Sequence, residues 1–330
     1  MQIDLRTVSI KPLRNTFDNL VRRFGDKPAS RYQEGSYDIQ ATHNLQYRPM
    51  WEPERQLHDA SRTAIVMADW YDFKDPRQFY YGTYTLTRSR QQESAEANFD
   101  FVETRGLLAQ LGDEDRQLVI DVLMPLRHAA WGANMNNTGI CADGYGTVIT
   151  QPCMFAAMDN LGVAQYLTRV GLALNDTESL VAGRDAWMND DMWQPLRRNV
   201  EKMLVTRDWF ELMVAQNFVA DGLLYPMIYE QFVDTRLNAR GGAGVSMMCA
   251  FITEWSAEMR KWTDSVIKIA AKESDANREL LTQWTQTWRD RNVEALAPIA
   301  AKAFGEDATH ILDTITHAFN ARAAKLGLDL

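Results

Sequence analysis

An all-α fold, a bundle of long helices preceded by an irregular N-terminal arm, is what this sequence predicts, and three observations predict it. Beyond about position 60, apolar residues recur at spacings of three and four, and no run of useful length alternates with a strand's period of two. Residues 1–60 lack such a period and are punctuated by Pro12, Pro28, Pro49 and Pro53, with Gly25 and Gly35. The stretch Gly112–Asn137 is apolar over so wide an arc that, as a helix, it belongs inside a bundle. The chain is therefore divided into an arm, 1–60, and a helical domain, 61–330.

In the arm, Phe17, Leu20, Val21 and Phe24 fall on one face of a short amphipathic helix. The remainder, with Tyr32, Tyr37, Tyr47 and Trp51, cannot bury enough surface to fold alone. It lies along a partner or wraps its own domain. Asp75-Pro76 marks a turn or a helix start. Around it Trp70, Tyr71, Phe73, Phe79, Tyr80, Tyr81 and Tyr84 are too dense for a solvated loop and pack onto the bundle or onto another chain.

Thr85–Leu111 reads as a long helix whose acids Glu93, Glu96, Asp100 and Glu103 share one face. Gly112–Asn137 reads as one helix, with Asp113 at the N-cap and Glu114 and Asp115 in the first turn. Its stripe runs through Leu118, Val122, Leu126, Ala129 and Ala133, and Pro125 kinks its centre. After a break at Gly139–Gly146, Thr147–Leu174 is a nearly all-round apolar helix ended by Asn175-Asp176-Thr177. Leu196–Ala239 is mostly helix, kinked by Pro226 and closed by Gly241-Gly242. Met248, Ile252, Trp255, Met259, Trp262, Val266 and Ile269 then form a heptad seam that wants a long neighbouring helix. Residues 275–296 add a helix with Leu281, Trp284 and Trp288 on one face, broken by Pro298. Residues 306–324 give a last one through Ile311, Ile315 and Phe319.

Composition narrows the function. Acids outnumber bases, 44 to 35, and no basic run offsets the net charge of −9, which argues against a nucleic-acid partner. No apolar run reaches membrane-spanning length, and the N-terminus has no signal-type apolar core, so a cytoplasmic chain is expected. Cys141, Cys153 and Cys249 match neither a disulfide framework nor a zinc site.

Long helices of this kind suit a ferritin-like bundle, and such bundles hold di-iron centres with Glu-x-x-His pairs one turn apart. The residues three before each histidine are Gln40 for His43, Arg55 for His58, Pro125 for His128, Asp307 for His310 and Thr314 for His317. None is glutamate, and Asp307-x-x-His310 has no second copy. The spacing of an iron-carrying helix is present around His128, but the carboxylate is missing. The sequence could at most build an odd site, with Glu96, His128, Glu211 and Asp221 as its members. The glutamate stripe otherwise reads as a solvated face, and His128 as a hydrogen-bonded core histidine. Phosphate loops, dinucleotide fingerprints and a Gly-x-Ser-x-Gly elbow are absent. Gly241-Gly242-Ala243-Gly244 lacks a preceding strand and a following lysine, and reads as a helix–helix corner.

Trp187-x5-Trp193-Gln194-x2-Arg197-x3-Glu201-x6-Asp208-Trp209-Phe210-Glu211, running on to Ala215-Gln216-Asn217, resembles the β subunits of bacterial multicomponent monooxygenase hydroxylases. DKPASRYQEGSYDIQAT, ADWYDFKDPRQFYYGTYTL and FDFVETRGLLAQLG resemble the phenol hydroxylase branch of that family. The resemblance covers essentially the whole chain. It implies a ferritin-like subunit that keeps the helices and lacks the ligands, so no catalytic, cofactor-binding or metal-binding residue is expected here. It also implies a homologous α subunit holding the di-iron centre, a γ subunit, an (αβγ)2 hydroxylase, a regulatory protein and an NADH-dependent reductase. The complex would place one oxygen atom of O2 into a phenol. Trp187, Trp193 and Trp209 then read as structural anchors, some facing partners, or as ordinary core. Two alternatives remain open: a self-sufficient oxidase using the odd site, and a helical scaffold unrelated to oxygen chemistry.

Overall fold

The computed structural model describes residues 13–39, 48 and 50–330; Pro12, His43, Tyr47 and Pro49 lie outside the described residues. Helices account for nearly all regular structure, and no strand occurs among the described residues. None of these helices is long and apolar enough to cross a membrane.

The arm begins with α1 (Asp18–Phe24), which buries Leu20. It continues into α2 (Arg31–Ser36), started by a reciprocal cap between Ser30 and Gln33. Its described part wraps its own domain. Tyr32 and Tyr37 are buried, and Ser36 is held by Gln151 at 3.1 Å and by Thr147, whose hydroxyl donates to the Ser36 carbonyl at 2.7 Å. The aromatic segment docks on the bundle: Trp70, Tyr71, Phe73, Phe79 and Tyr84 are buried, while Tyr81 remains exposed.

The helical domain follows as α3 (Tyr81–Thr104), α4 (Asp113–Leu123), α5 (Leu126–Asp143), α6 (Thr147–Asn189) and α7 (Gln194–Leu204). An alternating segment comes next: α8 (Trp209–Met213), a π-helical turn Val214–Ala220, α9 (Asp221–Tyr225) and a second π-helical turn Pro226–Leu237. The chain ends in α10 (Ala243–Glu273), α11 (Asp275–Phe304) and α12 (Ala308–Lys325). α10 lies centrally, against α3, α6, α11 and the second π turn, and its heptad seam is buried from Met248 to Val266, with Ile269 half-buried.

Several boundaries differ from expectation, each for a physical reason. α3 stops at Thr104 rather than Leu111, because Gly106 takes a left-handed φ of 61° before a short 3-10 turn. The stretch Gly112–Asn137 is two helices. Gly112, not Asp113, is the N-cap, and Pro125 separates α4 from α5. Pro125 offers no amide proton, and the chain tightens across it, with the His128 amide donating to the Pro125 carbonyl at 3.0 Å. α6 is two helices joined at a kink: Asn175 and Asp176 leave helical geometry after Leu174, as expected, with Asp176 at a φ of 46°, and a second stretch of helix not foreseen runs on to Asn189. The helix expected over Leu196–Ala239 is cut at Val205–Asp208, and Asp208 re-caps it by accepting from the Phe210 and Glu211 amides. Pro226 opens a wide π turn, where its missing donor is absorbed. Pro298 does not break α11, whose neighbours Leu296, Ile299 and Ala300 are fully packed.

Candidate functional site

The four members of the odd metal site are not brought together. Glu96 stands on the exposed face of α3, where Arg169 clasps it through both carboxylate oxygens at 2.7 and 2.8 Å. Arg169 thereby holds the Glu96 carboxyl below its ordinary range. Glu93, Asp100 and Glu103 are exposed beside it, so the stripe is a solvated face. His128 lies half-buried at the start of α5, stacked on Trp187 with ring centroids 5.9 Å apart. Burial, followed by the charges of Arg127 and Arg184, pushes its pKa down. Its Nε2 is sealed from solvent and has no partner. Glu211 accepts from the indole N–H of Trp288 at 3.0 Å. Asp221 accepts from Gln216 at 2.8 Å, and burial raises its carboxyl to about 7. Among the described residues, no three His, Cys, Asp or Glu side chains converge to hold a metal ion. This donor set does not fit a di-iron centre, which needs about four carboxylates and two imidazoles.

The chain fills its interior with two other arrangements. One is a buried charge cluster built from three distant parts of the chain. Arg77 grips Asp75 through two bonds of 2.9 Å and reaches Glu258 at 3.3 Å. Arg88, from α3, grips Asp159 on α6 at 2.8 and 2.7 Å and Glu258 on α10 at 2.9 Å. The Tyr84 hydroxyl and the Trp255 indole N–H also donate to Asp159, at 2.9 and 2.8 Å. Burial works against the Arg88 charge, but Asp159 and Glu258 outweigh it and hold the guanidinium above its ordinary pKa. Each carboxylate here is answered by nitrogen or hydroxyl donors, as a buried charge must be. The cluster pins α3, α6 and α10 together.

The other arrangement is a ladder of amides. Asn137 and Asn217 exchange bonds of 3.1 and 2.9 Å, and Asn136 donates to Gln216 at 2.8 Å, which in turn donates to Asp221. These rungs tie α5 to the first π turn. The Gln216-Asn217 pair belongs to the tryptophan-rich signature, so the sequence had pointed at the segment without revealing its partners. For the charge cluster the available signal was Asp159, the lone charge between Gly144 and Thr168 in an otherwise apolar helix. The three signature tryptophans are core. Trp193 and Trp209 are fully buried, and Trp187 is nearly so, packed on Trp193 and His128.

The same chain matches the model of the methane/phenol/alkene hydroxylase family over residues 51–274. Along its full length it is 48% identical to DmpL, an oxygenase component of phenol 2-monooxygenase from Pseudomonas sp. (strain CF600), covering 99% of this chain and 98% of that one. It is 45% identical, with the same coverage, to the corresponding component MhpL of Acinetobacter pittii (strain PHEA-2). A crystal structure of xenon-pressurized phenol hydroxylase from Pseudomonas sp. OX1 superposes with a TM-score of 0.92 at 43% identity, covering 99% of both chains. Toluene 4-monooxygenase shares the fold, with a TM-score of 0.76 at 21% identity over 88% of this chain and 99% of that one.

Proposed function

We propose a role that proceeds from one premise: this chain belongs to the methane/phenol/alkene hydroxylase family. It is a subunit of the hydroxylase component of a multicomponent phenol monooxygenase. Within that component it acts as the non-catalytic β subunit. It supports an α subunit that binds the di-iron centre, alongside a γ subunit in an (αβγ)2 assembly fed by an NADH-dependent reductase and a regulatory protein in the cytoplasm. The chain divides into an arm, 1–60, and a helical domain, 61–330, and the described part of the arm clasps that domain.

The observation that carries this reading is the interior itself. Positions between the central helices are taken by indole, amide and paired-charge packing, and among the described residues no three acids, imidazoles or thiols converge as a metal site would require. Such an interior makes a rigid support. The surface supplies the complement: Ala129–Ala142 and Gly144–Met158 contain no charged residue, yet Trp131, Met135, Met154 and Met158 face outward. An uncovered apolar face of that kind marks a protein contact.

The test is to purify the chain alone and co-expressed with its genomic neighbours. The lone chain is expected to hold no stoichiometric iron and to show no O2-dependent turnover. The co-purified hydroxylase should carry iron and hydroxylate phenol once reductase and NADH are added. Iron bound by the lone chain with turnover would overturn the non-catalytic role; a chain that never co-purifies would overturn the subunit role.

A further inference from the structure

The second limb of α6, residues 177–189, is held to the bundle by one large side chain. Asp176, at a φ of 46°, sets it off from the first limb, and Asp190 ends it. Arg116 closes the first limb by donating to the Leu174 carbonyl at 2.9 Å. The two limbs fold back on each other. A Cβ added at Gly171 would stand 2.4 Å from the Met124 Sδ, and one added at Gly183 would stand 2.5 Å from the Cβ of the same methionine. In unbroken helix those two glycines would be about 18 Å apart. Along the second limb only Ser179, Gly183 and Trp187 are buried, and only Trp187 is large. Its indole stacks on His128 with ring centroids 5.9 Å apart and packs on Trp193 at 6.2 Å. An element with so few buried contacts stands at the low end of local stability.

The charges that bear on His128 have one sign. Arg127 lies beside it on α5, and Arg184 lies on the limb itself. The neighbouring acids are taken: Asp185 by Arg184 at 3.0 Å, Asp115 of α4 by Arg240 at 2.9 Å and Asp121 of α4 by Lys302 at 2.7 Å. The buried face of α7, Leu196, Asn199, Val200 and Met203, adds no charge.

The geometry points to an acid-released limb: protonation of His128 loosens its hold on Trp187, and residues 177–189 swing from the bundle about Asp176. A second proton on the imidazole has no acceptor, because Nε2 is sealed without a partner. The new charge then faces two guanidiniums. The indole face of Trp187 favours a cation, but burial, followed by Arg127 and Arg184, outweighs it and holds the imidazole pKa below its ordinary value. Opening restores that value, so the open limb takes up the proton more readily than the closed one. The hold is complete above the ordinary imidazole pKa and weakens as pH falls below it.

The test is hydrogen–deuterium exchange of the purified full-length chain at about pH 7.5 and about pH 5.5, each corrected for the intrinsic exchange rate. Protection within 177–189 should fall about five- to tenfold at the lower pH, the range that an open-state imidazole pKa of 6.5 allows, while 147–174 keeps its protection. His128→Phe keeps a ring on Trp187 and should abolish the difference. Arg184→Gln alters an exposed side chain and should shrink the difference by removing one repelling charge. A limb with equal corrected exchange at both pH values overturns the proposal, and so does a difference that survives in His128→Phe. A loss of protection shared equally by 147–174 would assign the effect to general acid unfolding and overturn it as well.

Discussion

Asp159 and Asp221 are both acids among apolar neighbours, and their surroundings give them opposite characters. Asp159 is met by a bidentate guanidinium, a phenol and an indole. Removing Arg88 strands the Asp159 carboxylate without its cation and leaves Glu258 with Arg77 alone, and breaking a buried pair in this way costs about 3–5 kcal/mol. Arg88→Met is expected to show that loss in urea unfolding. Trp255→Phe, which removes one donor and leaves the guanidinium, should lose only about 1–2 kcal/mol. Asp221 has a single donor on Oδ1, and its Oδ2 is sealed without a partner. Its carboxyl is raised from 3.8 to about 7 in the folded chain. The unfolded chain therefore ionises first. Stability falls as pH rises from about 4 towards 7, and the loss is complete above that. Asp221→Asn should flatten this slope and raise stability at pH 8 by about 4 kcal/mol, or about 6 °C in thermal midpoint for a chain of this length. A variant whose midpoint keeps the parent's pH slope would refute the assignment.

The bend between α4 and α5 shows how one element depends on another. Met124, at the bend, presses on α6 at Gly183, where an added Cβ would stand 2.5 Å from the Met124 Cβ and 2.9 Å from its carbonyl carbon. Backbone cannot swing aside, so Gly183→Ala is expected to cost about 1–3 kcal/mol by overpacking, measurable by denaturant titration. The helices themselves were legible, because the spacing of apolar residues reports which face is buried: Leu281 and Trp288, Ile315 and Phe319, and the α10 seam all point inward. Helix ends were less legible. Pro125, Pro226 and Pro298 have the same local chemistry and three outcomes: a break into two helices, a wide π turn and an uninterrupted helix. The surrounding packing chose among them, and packing is not written in a proline's neighbours. The charge cluster was illegible for a related reason. Arg88, Asp159 and Glu258 lie far apart in sequence, and no local spacing joins them.

At the scale of the whole molecule, the apolar core is continuous while part of the apolar surface is left uncovered. Buried side chains form one main hydrophobic core from the arm to α12, with a small satellite around Phe79, Tyr84 and Phe155. The charge-free face of α5 and α6 stays open to water. Covering it by a partner that binds only the folded chain stabilises that fold by mass action. The chain's thermal midpoint should therefore be higher within the assembled hydroxylase than alone, and should climb with partner concentration. An equal midpoint in both states would contradict the role of the face.

Nine of the ten tryptophans divide sharply by exposure, and Trp284 lies between, half-buried. Trp193, Trp209, Trp255, Trp262 and Trp288 are fully buried, whereas Trp131 is 57% exposed on the open face and Trp51 is 72% exposed on the arm. The sheltered indoles should emit at short wavelength and ignore added iodide, so the quenchable, red-shifted fraction of the fluorescence comes mainly from those two sites. With Trp51 replaced by Phe, iodide quenching becomes a label-free gauge of whether the α5 surface is occupied.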